Sequence, residues 1–162
     1  MAARATDAET RLMRDDHTAI RLWLRMMATN RLVETRTRRL LQERYATTLP
    51  RFDLMAQLER APKGLKMGEL SRRMMVTGGN VTGITDLLEK EGLVERAADP
   101  DDRRATIVRL TTAGRRAFAA MAAEHEHWIV ESFKALTGRE MATMAALLAR
   151  LKTHVRSLEE QA

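Results

Sequence analysis

Apolar residues recur at three- and four-residue intervals along most of this chain, which predicts helix, and residues 93–110 break that period. A long helix is predicted from about Asp15 to Tyr45. Its apolar positions, Ile20, Leu22, Trp23, Leu24, Met26, Met27, Leu32, Val33, Leu40 and Leu41, spread over more than one stripe, so it should touch more than one neighbour. Thr47-Thr48-Leu49-Pro50 reads as a break followed by a new helix, about Pro50 to Arg60, with Phe52, Met55 and Leu58 on one face. Ala61-Pro62-Lys63-Gly64 is a turn. Two short helices follow, Lys66 to Met74 and Thr77 to Glu91, the second closed by Gly92 as its C-terminal cap. Leu93-Val94-Glu95-Arg96 and Thr106-Ile107-Val108-Arg109-Leu110 flank the turn residues Asp99-Pro100-Asp101-Asp102 and predict a β-hairpin. Thr111-Thr112-Ala113-Gly114 opens another long helix, with threonine as its cap, carrying Phe118, Met121, His125, Trp128 and Ser132. In the last helix Met141, Met144, Leu148, Leu151, Val155 and Leu158 are spaced 3, 4, 3, 4, 3, a seam of the kind that joins helices. The expectation is a homodimer built from both terminal helices, with Ile20 and the seam residues at its interface, over the blander packing of that seam on the chain's own first helix.

Composition narrows the classes. The 162 residues suit one compact unit, and zero cysteines exclude disulfides, thiolate zinc sites and a cysteine redox switch. A net charge of +6 favours a polyanionic partner. No apolar run reaches the roughly 18 residues of a spanning helix, and the N-terminus lacks a signal peptide's apolar stretch, so a cytoplasmic protein with no membrane partner is expected. Nucleophile elbow, phosphate loop and His-Glu-x-x-His are missing, so no catalytic residue is assigned. His125 and His127 point about 200° apart on a helix and do not converge on one ion, so no metal and no cofactor is expected.

Residues 67–86 fit a helix-turn-helix. Leu70, Met74 and Val76 face Val81 and Ile84 of the second helix, and Ser71 is the small residue where the helices approach. Met75 stands where simpler versions place glycine, which suggests a looser turn. With Val81, Ile84 and Leu88 on the core face, the opposite face holds Gly79, Thr82, Gly83 and Asp86, with Gly78 at its edge, and would enter a major groove. Three glycines cost helix propensity, and close backbone approach to DNA is one reason for them. Thr82 suits a thymine methyl or a base edge, and Asn80 a phosphate or base. Asp86 is awkward beside phosphates and would accept from a cytosine amino group or orient a basic neighbour. Ser71, Arg72 and Arg73 suit phosphates, and Thr77 and Thr85 complete the candidate set. In the hairpin, Asp102, Arg103 and Arg104 form a candidate wing tip, with an arginine for the minor groove and Asp102 to hold it.

Met67-Gly-Glu-Leu-Ser-Arg-Arg-Met, Asn80 through Arg96, and Asp99-Pro-Asp-Asp-Arg-Arg followed by Leu110-Thr-Thr-Ala-Gly114 together resemble the MarR family of bacterial transcription regulators. The resemblance covers about residues 15–158. It implies a mainly α fold with a small β-hairpin wing: a winged helix-turn-helix lobe plus a helical dimerisation region from the N- and C-terminal helices. The expected organisation is a dimerisation helix region at 1–48, a DNA-binding lobe at 49–112 and C-terminal dimerisation helices at 113–162. It also implies a repressor that occupies a palindromic operator in double-stranded DNA and is released by a small molecule. By resemblance Arg104 is the wing-tip arginine and Asp102 its buttress.

Family members often hold ligands between the DNA-binding lobe and the dimer helices. On this chain Trp23, Met26, Met27, Asn30, Arg39, Phe52, Met55, Phe118, Met121 and His125 are the candidates, each of which also suits plain core packing. Arg31, Arg36, Arg38, Arg39, Arg44 and Arg51 face only Glu34 and Glu43 over that stretch, and would meet DNA phosphate, a carboxylate or coenzyme A phosphates. Leu49-Pro-Arg-Phe-Asp-Leu-Met and Val76-Thr-Gly-Gly-Asn-Val-Thr-Gly look most like regulators of aromatic acid breakdown, including those that sense hydroxycinnamoyl-CoA thioesters. An aromatic carboxylate or its CoA thioester is therefore the expected effector. The competing reading is a helical adaptor whose winged lobe no longer binds DNA.

Overall fold

A computed structural model describes the backbone of residues 8–75, 77–99 and 105–160, and the side chains from residue 17 onward in those ranges. The order is α1 (Ala8–Tyr45), α2 (Leu49–Glu59), β1 (Leu65–Lys66), α3 (Met67–Met74), α4 (Gly78–Lys90), β2 (Val94–Ala98), β3 (Thr106–Leu110), α5 (Thr112–Phe133) and α6 (Gly138–Glu159). The fold is mainly α with a small antiparallel sheet, a winged helix-turn-helix. Among the described residues no helix is long and apolar enough to cross a membrane.

The strand β1 was not expected from the pattern. It is two residues long, and it pairs antiparallel with β3 through Leu65–Val108 and Lys66–Ile107. Two residues show no period, so the sequence offers no alternation to read. The sheet order is β1-β3-β2, which leaves β2 at an edge. Gly64 precedes β1 at φ +95, and a Cβ there would stand 2.8 Å from the Val108 carbonyl oxygen.

Contacts divide the chain into two units, Met1–His125 and Glu126–Ala162, with the division inside α5. The first unit holds a packed core: Leu41 of α1, Leu54, Met55 and Leu58 of α2, Leu70 of α3, Val81 and Leu88 of α4, and Val94, Val108 and Leu110 of the sheet are all essentially inaccessible. Each such side chain contributes roughly 1.5–3 kcal/mol by leaving water. The junction of β3 and α5 within this unit depends on the Leu-Thr-x-x-Gly run. Thr111 accepts the Gly114 N–H at 2.9 Å and donates to the Gly92 carbonyl at 2.7 Å. A Cβ on Gly114 would lie 1.8 Å from the Leu93 carbonyl oxygen, so only glycine lets α5 start against the end of the α4–β2 loop.

The second unit is the end of α5 and α6. Thr137 and Glu140 form a reciprocal capping box at the start of α6. No residue of α6 is buried: Met141, Met144, Leu147, Leu148, Leu151, Val155 and Leu158 are each 39–52% exposed. An open apolar cleft of about 650 Å³ lies between the two helices, lined by Ile129, Val130, Phe133, Met141, Met144 and Leu148 among others.

Candidate nucleic-acid interface

The helix pair α3–α4 forms because each element buries one narrow stripe. Leu70 fills the inner face of α3, and Val81, Thr85 and Leu88 fill that of α4. The helices close on one another at Ser71, whose hydroxyl would sit 3.8 Å from a Cβ on Gly78. Between them Met75 has φ 54 and ψ 37 and is 93% exposed. Met75 thus occupies a position with a steric demand of its own. That position demands the left-handed conformation that glycine adopts freely, and a methionine is held there against a steric cost of about 1–2 kcal/mol. Val76 lies outside the described residues.

The outward face of α4 matches the helical wheel. Thr77, Gly78, Gly79, Asn80, Thr82, Gly83 and Asp86 are all exposed, as are Arg72 and Arg73 of α3. A Cβ on Gly79 or Gly83 would meet nothing within 4 Å, so the protein itself does not require glycine at either place. Three of these exposed candidates are already engaged, Asp86 by an arginine of β2. Arg73 pairs with Glu69 at 2.6 Å, and the Thr82 hydroxyl donates to the Gly78 carbonyl at 3.0 Å. Thr85 must be corrected: it is fully buried, and its hydroxyl donates to the Val81 carbonyl at 2.8 Å, so it belongs to the core and not to the groove face. Asp102, Arg103 and Arg104 lie outside the described residues. The hairpin base that carries them is fixed, because the Asp99 N–H donates to the Ala105 carbonyl at 3.0 Å and the Asp99 carboxylate meets Lys66 of β1 at 2.9 Å.

A sequence profile of the MarR family matches residues 47–106. The fold superposes with a TM-score of 0.75 on a MarR family transcriptional regulator from Silicibacter pomeroyi, at 32% identity, covering 87% of this chain and 97% of that one. The chain belongs to the MarR family. A second MarR-family structure, a point mutant of Escherichia coli MarR complexed with operator DNA, gives a TM-score of 0.73 at 26% identity, over 83% of this chain and 95% of that one. The transcriptional activatory protein BadR of Rhodopseudomonas palustris is 32% identical over 107 residues, 64% of this chain and 60% of BadR. As a MarR-type chain this is a DNA-binding transcriptional regulator, a member of a family of regulators rather than enzymes.

One feature of the MarR-family lobe was missed by sequence reading. Arg96 on β2 reaches back to α4, meeting Asp86 Oδ1 at 2.5 Å and Glu89 Oε2 through its other terminal nitrogen. Its backbone N–H donates to Glu89 Oε1 at 3.2 Å. The hydrogen bond it donates to Asp86 is the first cause holding the Arg96 guanidinium above its ordinary range. The available signal was two carboxylates three apart on one helix face, followed by an arginine on the next strand.

The candidate ligand residues separate into two groups. The Phe118 and His125 rings both lie tilted against Phe52, with centroids 5.3 Å and 4.7 Å from it and interplanar angles of 32° and 33°. Met55 of α2 and Met121 of α5 are buried. Burial pushes the His125 imidazole below its usual value. By contrast Trp23 and Met27 are 58% and 54% exposed on α1, Asn30 is exposed and Met26 is half-buried. The arginine run is largely ion-paired and not a bare basic patch: Arg38 with Glu34 at 2.5 Å, Arg39 with Glu43 at 3.4 Å, Arg44 with Glu124 at 3.7 Å, and Arg51 with Glu91. Within the first unit, a cleft of about 360 Å³ is lined by Tyr45, Ala46, Arg51, Met55, Ala120 and Met121 among others. The Arg51 Nε is buried beside it without a hydrogen-bond partner. The seam candidates Ile20, Met141, Met144, Leu148, Leu151, Val155 and Leu158 are all exposed within the single chain.

Proposed function

We propose that this chain works as a homodimer that occupies a palindromic operator, represses transcription, and is released by a small aromatic carboxylate. The exposed face of α4 carries the reading. Gly79 and Gly83 weaken the helix by roughly 0.5–1 kcal/mol each relative to alanine, and the space around them is open. A backbone left bare at that cost suits the close approach of a second surface, and the motif places that surface in a major groove. Ser71, Arg72, Arg73, Asn80 and Thr82 contact phosphates and base edges there, with Arg104 reaching the minor groove and Asp102 supporting it. The half-exposed seam of α6 is covered by the same seam of a second copy, which sets two recognition helices about one DNA turn apart, ~34 Å.

For the effector, the Arg51 cleft suits a single aromatic ring with a carboxylate. Its size lies at the small end of ligand sites, and a carboxylate would supply the missing acceptor for the Arg51 Nε–H. A CoA thioester would have to leave most of its length outside. The sign of regulation has a specific alternative, since BadR, a relative, is named an activatory protein.

The test is fluorescence anisotropy with a duplex from upstream of the chain's own gene and a scrambled duplex, over a salt series. Tight binding to the first alone, falling steeply with salt, is expected for specific binding with phosphate contacts. Equal weak binding to both there, and to every duplex selected from a random library, supports the adaptor reading instead. Calorimetry with free aromatic acids and their CoA thioesters then decides the effector. Heat from neither ligand removes the aromatic proposal.

A further inference from the structure

Asp86 stands on the exposed face of α4, where a bare carboxylate would repel phosphates, yet it is not bare. Its Oδ1 holds the Arg96 guanidinium at 2.5 Å. Glu89, one turn further along α4, takes both the other arm of that guanidinium and the Arg96 backbone N–H. Three contacts thus converge on one residue of β2. Single exposed ion pairs are worth little. Here a shared guanidinium and a backbone donor tie two elements that a short turn joins, with Gly92 at φ +72. β2 is an edge strand, whose outward amides otherwise lack partners. Glu89 supplies one and so fixes the distance between strand and helix.

The same strand leads directly to the wing. β2 ends at Ala98, and Asp99 is held by Lys66 of β1 at 2.9 Å. The wing base is therefore pinned twice, to α4 through Arg96 and to β1 through Asp99. We propose that Asp86, Glu89 and Arg96 form a clamp that makes the recognition helix and the wing base one rigid reading unit, and that Asp86 is a positioning residue that reads no base. This rests on the DNA-binding reading above. It resolves the awkward carboxylate: Asp86 orients a basic neighbour, and it does not select cytosine.

The experiment uses the full chain and a duplex selected from a random library by the wild-type protein. Asp86→Asn, Arg96→Gln and the double variant are measured against that duplex and against all its single-base variants. Amide exchange is followed without DNA. The clamp is expected to give Asp86→Asn a 3- to 10-fold loss of affinity, by the same factor on every duplex. The double variant should bind within about twofold of Arg96→Gln alone, because both remove one network. Exchange in β2 should quicken at least fivefold while α2 is unchanged. A loss confined to one base pair makes Asp86 a base reader and overturns the proposal. So do multiplying single effects, unchanged β2 exchange, or tighter binding by Asp86→Asn. A wild-type chain that selects no duplex sinks the DNA-binding reading instead, and β2 exchange then decides the clamp alone. Should Arg96→Gln fail to fold, Asp86→Asn, at an exposed site, carries both readouts.

Discussion

The winged lobe and α6 carry equally regular apolar patterns with opposite outcomes. In the lobe, Leu54, Leu58, Leu70, Val81 and Leu88 are almost wholly covered by their own chain. On α6 the 3-4 seam leaves every large apolar side chain about 40–50% exposed. Spacing alone therefore predicts which face is apolar, and what covers that face depends on the rest of the molecule. In the proposed dimer that open seam is covered by the same seam of a second copy.

The comparison can be broken hardest in the lobe. Gly114→Ala drives a Cβ into the Leu93 carbonyl, and should cost at least about 3 kcal/mol in denaturant melts. Gly138→Ala, with open space around it at the start of α6, serves as the control and should move stability far less. Next in size, Leu151→Glu places a charge in the proposed seam. It should raise the dimer dissociation constant at least about 100-fold by light scattering while the lobe keeps its melting transition, because Leu151 is not part of the lobe's core. Retained dimers would put the interface elsewhere.

Arg104→Ala should weaken operator binding by ~1–3 kcal/mol without moving the melting temperature, and unchanged affinity would remove the wing contact. Smaller still, Gly83→Ala should stabilise the DNA-free chain by roughly 0.5–1 kcal/mol yet weaken DNA binding. If affinity rises with stability, the bare backbone is not there for DNA.

The smallest effect is acid sensitivity within the lobe. Burial lowers the His125 pKa below 6.5, so the folded state binds that proton less tightly than the unfolded chain. The contribution is complete above 6.5 and is lost as the pH falls through the lower folded value. His125→Gln should flatten that part of the stability curve in melts across a pH series. An unchanged slope would mean that His125 is not the group responsible.

Much of this was legible in the residues. The helix periods, the threonine cap at the start of α5, and the outward face of α4 follow from local chemistry that acts within a few residues. The winged fold followed too, carried by the Asp-Pro-Asp-Asp-Arg-Arg and Leu-Thr-x-x-Gly runs. What escaped was long-range or too short to have a period. β1 has two residues and exists only because β3 passes beside it. Thr85 is an exception, because four positions from Val81 puts it about 40° away on the wheel, on the core side, so its burial was legible in the spacing. Met75 has a left-handed backbone, and the residue type alone does not announce that conformation. Arg96 joins α4 across ten positions, a pairing that needs the turn at Gly92 before it can be seen.

The most direct test of the contrast between lobe and seam is sedimentation equilibrium of the unmodified chain at micromolar concentration. The account predicts a particle of twice the 18.4 kDa chain mass, which binds one operator duplex as a pair of chains. A single 18.4 kDa species that stays monomeric on DNA would contradict it.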